Sequence, residues 1–166
     1  MSLIRSASCL TALLFSFVLP SCSTLYRVND RPLALGVERN VTFLRPEVVL
    51  HDGREVAGLT TPLTQTEYVI KVRSGLVSDK ARRVTAHELM HAAGLRTHEV
   101  RKDCYIYGSA LAIAPGHLCP SERARLRRAQ GTIVVEVAPD NREIVSWAIG
   151  FLNAEVGRIM YVLAGE

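Results

Sequence analysis

His87-Glu88-Leu89-Met90-His91 brings three chemically active side chains into five consecutive residues. Two histidines four residues apart on a helix lie one turn apart on nearly the same face, with a rise of about 6 Å between them. Their imidazoles can then converge on one zinc ion at Zn–N distances of about 2.0–2.1 Å. Glu88 follows the first histidine and points to the side, where a carboxylate can hydrogen-bond a metal-bound water without displacing it. The chemistry expected of this set is a metal-activated water with Glu88 as general base. A bare H-E-x-x-H also fits a solvated polar helix face.

The elements around the motif weigh against that bland reading. Ser78 to Ala86 reads as a helix start, with Ser78 or Asp79 as N-cap and good helix formers behind it. Leu89, Met90, Ala92 and Ala93 make the neighbourhood of the histidines apolar. Gly94 stands where a helix can stop in the left-handed conformation. The motif therefore belongs to the last turns of a helix, and the turn behind it can return a third ligand to the same ion. Upstream, Tyr68 to Arg73 reads as a strong strand and Glu47 to Leu59 as a hairpin turning at Asp52-Gly53. Thr60 to Thr66 reads as a threonine-rich loop, and short strands are expected around 33–37 and 41–44. Downstream come a strand at Thr132–Val137, a break at Pro139-Asp140-Asn141, and an apolar helical stripe through Ile144, Val145, Ala148, Ile149, Leu152 and Val156. Gly157 ends that helix, and a last strand runs from Ile159 to Leu163.

His87 to His98, followed by Asp103-Cys104-Tyr105-Ile106-Tyr107, resembles the metzincin zinc peptidases, whose pattern is H-E-x-x-H-x-x-G-x-x-H and then a Met-turn. Gly94 is in register, Thr97 occupies the third histidine's place, and His98 follows one residue later. The resemblance implies zinc held by His87, His91 and His98, with Asp103, Glu99 and His117 as substitutes for the third ligand. Asp103 to Tyr107 looks like the D-C-V-M-Y form of the Met-turn, with Ile106 in the methionine's place. Isoleucine is apolar and of similar volume, so an apolar floor under the metal is retained. Tyr107 matches the family's tyrosine that steadies the tetrahedral intermediate, and Tyr105 is the spare. The plain alternative is that both tyrosines only pack with their hydroxyls at the surface, the preferred reading for Tyr105. The resemblance covers about residues 67–126. The unit from Ala148 to Gly157 resembles the first strand–helix unit that metzincin-like domains place before the zinc helix. Here it follows, which implies a permuted order of elements.

The N-terminus carries one charge, Arg5, then an apolar run from Cys9 to Leu19 that is shorter than the ~20 residues of a membrane span. This is the form of an export signal. Leu19-Pro20-Ser21-Cys22 resembles the bacterial lipobox, which implies cleavage after residue 21 and lipidation of Cys22; Ser23 resembles the sorting signal for the outer membrane. Plain secretion with cleavage nearby is the alternative. The chain has four cysteines. Cys9 would leave with the signal and Cys22 would carry lipid, so Cys104 and Cys119 remain to pair in an oxidising compartment. Closing a loop of about 15 residues contributes roughly 3 kcal/mol in the chain-entropy model. Zinc binding by these two cysteines is disfavoured, because they lack C-x-x-C spacing.

The chain of 166 residues has a formal charge of +4, or +3 once Arg5 is removed, and its basic residues are scattered. Nothing interleaves aromatic with basic residues, so no nucleic-acid partner is expected. The dense run from Arg123 to Arg128 reads as a short helix with a solvated face; contact with anionic lipid headgroups is the minority reading. There is no internal repeat, and no propeptide-length segment lies between leader and domain.

The expectation is an α+β, zincin-like domain over 22–166, behind a lipoprotein signal peptide over 1–21: a small twisted sheet packed on an active-site helix and a second long helix. The expected activity is zinc-dependent endopeptidase cleavage of peptide or protein substrates. The enzyme would be lipid-anchored, at the outer membrane facing the periplasm. The alternative is a non-catalytic zincin-fold envelope lipoprotein that binds a partner or holds a structural metal. A third option keeps the metal chemistry but acts on peptidoglycan.

Overall fold

The computed structural model describes residues 36–95, 118 and 120–165. Within them the architecture is α+β. Five strands form one mostly parallel sheet, and helices cover one of its faces. β1 (Glu38–Leu44) is the central strand. Its residues alternate exposed and buried along their whole length, which is the signature of a sheet with one packed face. β5 (Glu67–Val72) pairs with β1 in parallel on one side, and β6 (Thr132–Val137) does so on the other. β7 (Tyr161–Leu163) extends the sheet beyond β6, also in parallel. β4 (Gly58–Pro62) closes the opposite edge and is antiparallel to β5. The spatial order is β4-β5-β1-β6-β7. β2 (Leu50–His51) and β3 (Arg54–Glu55) form a separate small hairpin. It turns at Asp52 and Gly53, both with positive φ, as a tight hairpin turn requires.

The buried face carries Val41 and Phe43 of β1, Tyr68, Ile70 and Val72 of β5, and Ile133 and Val135 of β6. These form one core with the helices. α1 (Ser78–Ala92) packs on β4 and β5, and α3 (Arg142–Val156) packs on β7 and on α1. The stripe Val145, Ala148, Ile149, Leu152 and Val156 is buried as its spacing requires, with Ile144 partly buried beside it. α2 (Pro120–Arg128) is the short basic helix, and it packs on α3. Arg123 pairs with Glu155 at 2.5 Å.

Three local expectations need correction. Neither Ser78 nor Asp79 caps α1: Val77 is the N-cap residue and no side chain bonds there. Both polar residues lie inside the first turn, where Asp79 pairs instead with Arg83 one turn on. The segment from Thr60 is not all loop, because Gly58–Pro62 pairs along β5. Among the described residues the first strand begins at Glu38, so Gly36 and Val37 are not part of a strand, and 33–35 lie outside the described residues.

The C-terminal end of α1 is closed by a Schellman motif. Gly94 adopts φ 83°, its N–H donates to His91 O at 2.8 Å, and Leu95 N–H donates to Met90 O at 3.1 Å. Two residues from one row of the sheet also reach this end. Arg39, Ile133 and Tyr161 are register partners across β1, β6 and β7. Arg39 Nη1 donates to Ala92 O at 2.5 Å, and the Tyr161 hydroxyl donates to Leu89 O at 3.3 Å. A buried cation at a helix C-terminus faces the negative end of the dipole.

Candidate metal and proton-transfer site

α1 carries all three residues of the motif, and its last turns are buried. His87 and Glu88 are each 5 % exposed and His91 is half-buried. A solvated helix face is therefore not what these residues form. The two imidazoles meet edge to face, with ring centroids 4.7 Å apart and planes at 88°. Their Nε2 atoms stand 3.2 Å apart. Two ligand nitrogens on a tetrahedral zinc ion, each at about 2.0–2.1 Å, are separated by about 3.3 Å. The pair thus fits the metal in both element and spacing.

The proton arrangement on His91 points the same way. Its Nδ1 lies 2.9 Å from Leu95 O. A carbonyl only accepts, so Nδ1 carries the proton, and the lone pair of neutral His91 is on Nε2. Such a hydrogen bond from the far ring nitrogen fixes tautomer and ring orientation in metal-binding histidines. Two Nε2 lone pairs at 3.2 Å repel unless a cation lies between them or one nitrogen is protonated. The Schellman turn supplies the Leu95 carbonyl, so the helix stop and the orientation of the His91 ring have one origin.

Glu88 faces away from the sheet centre, toward the edge strand β4. Thr60 Oγ1 donates to its Oε2 at 2.7 Å and also approaches its backbone carbonyl at 3.0 Å. Thr60 and Gly58, two apart on β4, share the packed face through their register with Ile70 and Val72. Burial pushes the Glu88 carboxyl up to about 7, while hydrogen bonding by the Thr60 side chain and by the Thr60 backbone pulls it down. A carboxyl poised there can exchange a proton in either direction near neutral pH.

Gly58 makes room for that carboxylate. A Cβ on residue 58 would stand 2.6 Å from Val84 Cγ1 and 2.7 Å from Glu88 Oε1. The glutamate tip can swing, but a β-branched valine on a helix has one favoured rotamer. Gly58→Ala is expected to destabilise the protein by about 1–3 kcal/mol, the usual range for overpacking. Urea unfolding checks this, and an unchanged midpoint would mean that α1 and β4 are not held this closely. Sequence reasoning missed Gly58 and Thr60. The alternating Gly58-x-Thr60 before a proline was a strand-edge signal, hidden inside a run of threonines.

Among the described residues no group of three or more His, Cys, Asp or Glu side chains gathers into a metal site. Of the residues expected to bind metal, His87 and His91 are among those described. His98 and its substitutes Glu99, Asp103 and His117 lie outside the described residues, as do Tyr105, Tyr107, Cys104, Cys119 and the lipidation residue Cys22. Among the described residues no helix is long and apolar enough to cross a membrane. An open groove of about 560 Å³ lies among Leu44, Val48, Leu50 and Lys71, on residues other than those of the histidine pair. No family model, curated protein or solved structure was found to match the chain.

Proposed function

We propose that the chain is a zinc-dependent endopeptidase, tethered by lipid on Cys22 to the outer membrane of a bacterial envelope and facing the periplasm. The observation that carries the catalytic part is the Nε2–Nε2 separation of 3.2 Å, with a buried carboxyl between the two histidines in sequence. His87 and His91 hold the ion, and His98 is proposed as the third ligand. Once bound, zinc supplies a water of lowered pKa and a Lewis acid for the scissile carbonyl. Glu88 takes the proton from the attacking water and delivers it to the leaving amine. Tyr107 is proposed to donate a hydrogen bond to the carbonyl oxygen as charge develops there.

The placement of β4 supports a peptide substrate. Among the described residues it ends the sheet, and it is the strand that touches Glu88. An extended peptide added to that edge by main-chain hydrogen bonds would run beside the base. A permuted zincin-like order of elements is part of this proposal. The unit β6-α3-β7 follows α1 in the chain but builds the sheet beyond β1, away from β4.

The test is direct. Purified protein is expected to hold one zinc per chain and to cleave casein, with cleavage lost to a chelator and restored by zinc. Metal-loaded protein that leaves casein intact and cuts muropeptides moves the substrate to peptidoglycan. Metal-loaded protein that cuts neither supports a binding module, and protein that takes up no metal ends the enzymatic reading.

A further inference from the structure

The Thr60 hydroxyl is the side-chain hydrogen-bond donor to the Glu88 carboxylate among the described residues, and it reaches across from a strand 28 residues away in sequence. Both are almost fully buried, at 4 % and 5 % exposure. A threonine hydroxyl has one proton to give. Two acceptors on Glu88 compete for it: Oε2 at 2.7 Å and the backbone carbonyl at 3.0 Å. Hydrogen bonds to a carboxylate are the shorter and stronger kind. The proton therefore belongs to Oε2 whenever Glu88 is ionised. The second oxygen, Oε1, lies over Gly58, where a glycine leaves the space that any side chain would fill.

We propose that Thr60 is a positioning residue: its hydroxyl ties down Oε2 of Glu88 and so fixes the orientation of the carboxylate that moves the proton. This rests on the endopeptidase reading for its kinetic consequence, though not for the contact itself. A mere latch between β4 and α1 would need only the bond to the backbone carbonyl. The closer approach to the carboxylate gives the hydroxyl a further task. Without it the Glu88 side chain gains rotational freedom about its last bonds, and fewer of its orientations face a bound water.

Two substitutions separate shape from hydroxyl. Thr60→Val keeps the shape and loses the donor, while Thr60→Ser keeps the donor. In metal-free protein the ¹³C carboxyl resonance of Glu88, identified by its loss in Glu88→Gln, is expected to move in the valine variant and stay in place in the serine variant. In zinc-loaded protein the valine variant is expected to lose about tenfold in kcat, with KM and zinc content unchanged, and serine to restore most of it. An unmoved resonance, a valine variant that turns over like wild type, or a serine variant as impaired as valine would each overturn the proposal. Should wild type hydrolyse nothing, the endopeptidase reading falls, and the metal-free resonance still decides the hold on Oε2. Wild-type spectra also read the Thr60 hydroxyl proton directly, as a protected resonance coupled to Glu88 Cδ. A proton found directed at the backbone carbonyl overturns the inference without any change at residue 60.

Discussion

Glu88→Gln is expected to lower peptide hydrolysis by about 10²–10⁴-fold while zinc content stays at the wild-type level. Glutamine has nearly the shape of glutamate, and its carbonyl oxygen can still accept from Thr60. What it loses is the ability to take a proton from water and return one to the leaving amine. Metal analysis alongside casein cleavage separates this from a loss of metal, and residual activity within tenfold of wild type would remove Glu88 from the proton's path. The same variant has a signature in metal-free protein. Burial raises the Glu88 carboxyl from 4.5 to about 7, so the folded state keeps a proton that the unfolded chain has released. Glu88 then contributes stability that is fully present below about 4.5 and is lost as pH rises through about 7. The loss is at most about 3 kcal/mol across that window. Urea unfolding at pH 4.5 and pH 8, with a chelator present, should show a steeper decline in wild type than in Glu88→Gln. Parallel declines would mean that the folded carboxyl titrates near its ordinary value.

The second large effect is on metal affinity. His91→Ala removes one of two nitrogens that already stand at the spacing of zinc ligands. Disturbing only the outer partner of a metal-binding histidine costs about 10–100-fold in affinity, so removing the ring should cost more than about 100-fold. Competition with a chromophoric chelator measures this. At saturating zinc, a hundredfold rise in Kd also removes about 2.7 kcal/mol of metal-linked stability, so zinc should raise the Tm of wild type and leave the variant nearly unmoved. The fold itself should persist, because alanine is the best helix former and His91 is only half-buried. An affinity within threefold of wild type would show that the two rings do not share an ion.

The histidine pair was legible in the sequence because helical spacing alone fixes which side chains share a face. Gly94 was legible for a similar reason, since a left-handed helix stop favours glycine. The apolar stripe of α3 follows from the same periodicity. Strand pairing is different in kind. That Glu88 would lie against Thr60 depends on β4 joining β5 as an antiparallel edge, and on α1 crossing it. The strand-edge signal around Thr60-Thr61-Pro62 is weak, because a terminal proline suits an edge strand and a loop alike. Ser78 and Asp79 misled for the opposite reason. They are favoured cap residues, but the helix begins one residue earlier than they suggest, and Asp79 is engaged with Arg83.

Arg39 and Tyr161 hold the final carbonyls of α1 from strands that precede and follow it in the chain. A chain whose synthesis stops before residue 161 would contain the complete H-E-x-x-H motif and still lack one of these two ties. Ribosomal order and spatial order disagree here. The motif emerges before the strand that steadies its helix. Termination ahead of β7 would therefore injure the helix that carries the motif and not merely the sheet edge.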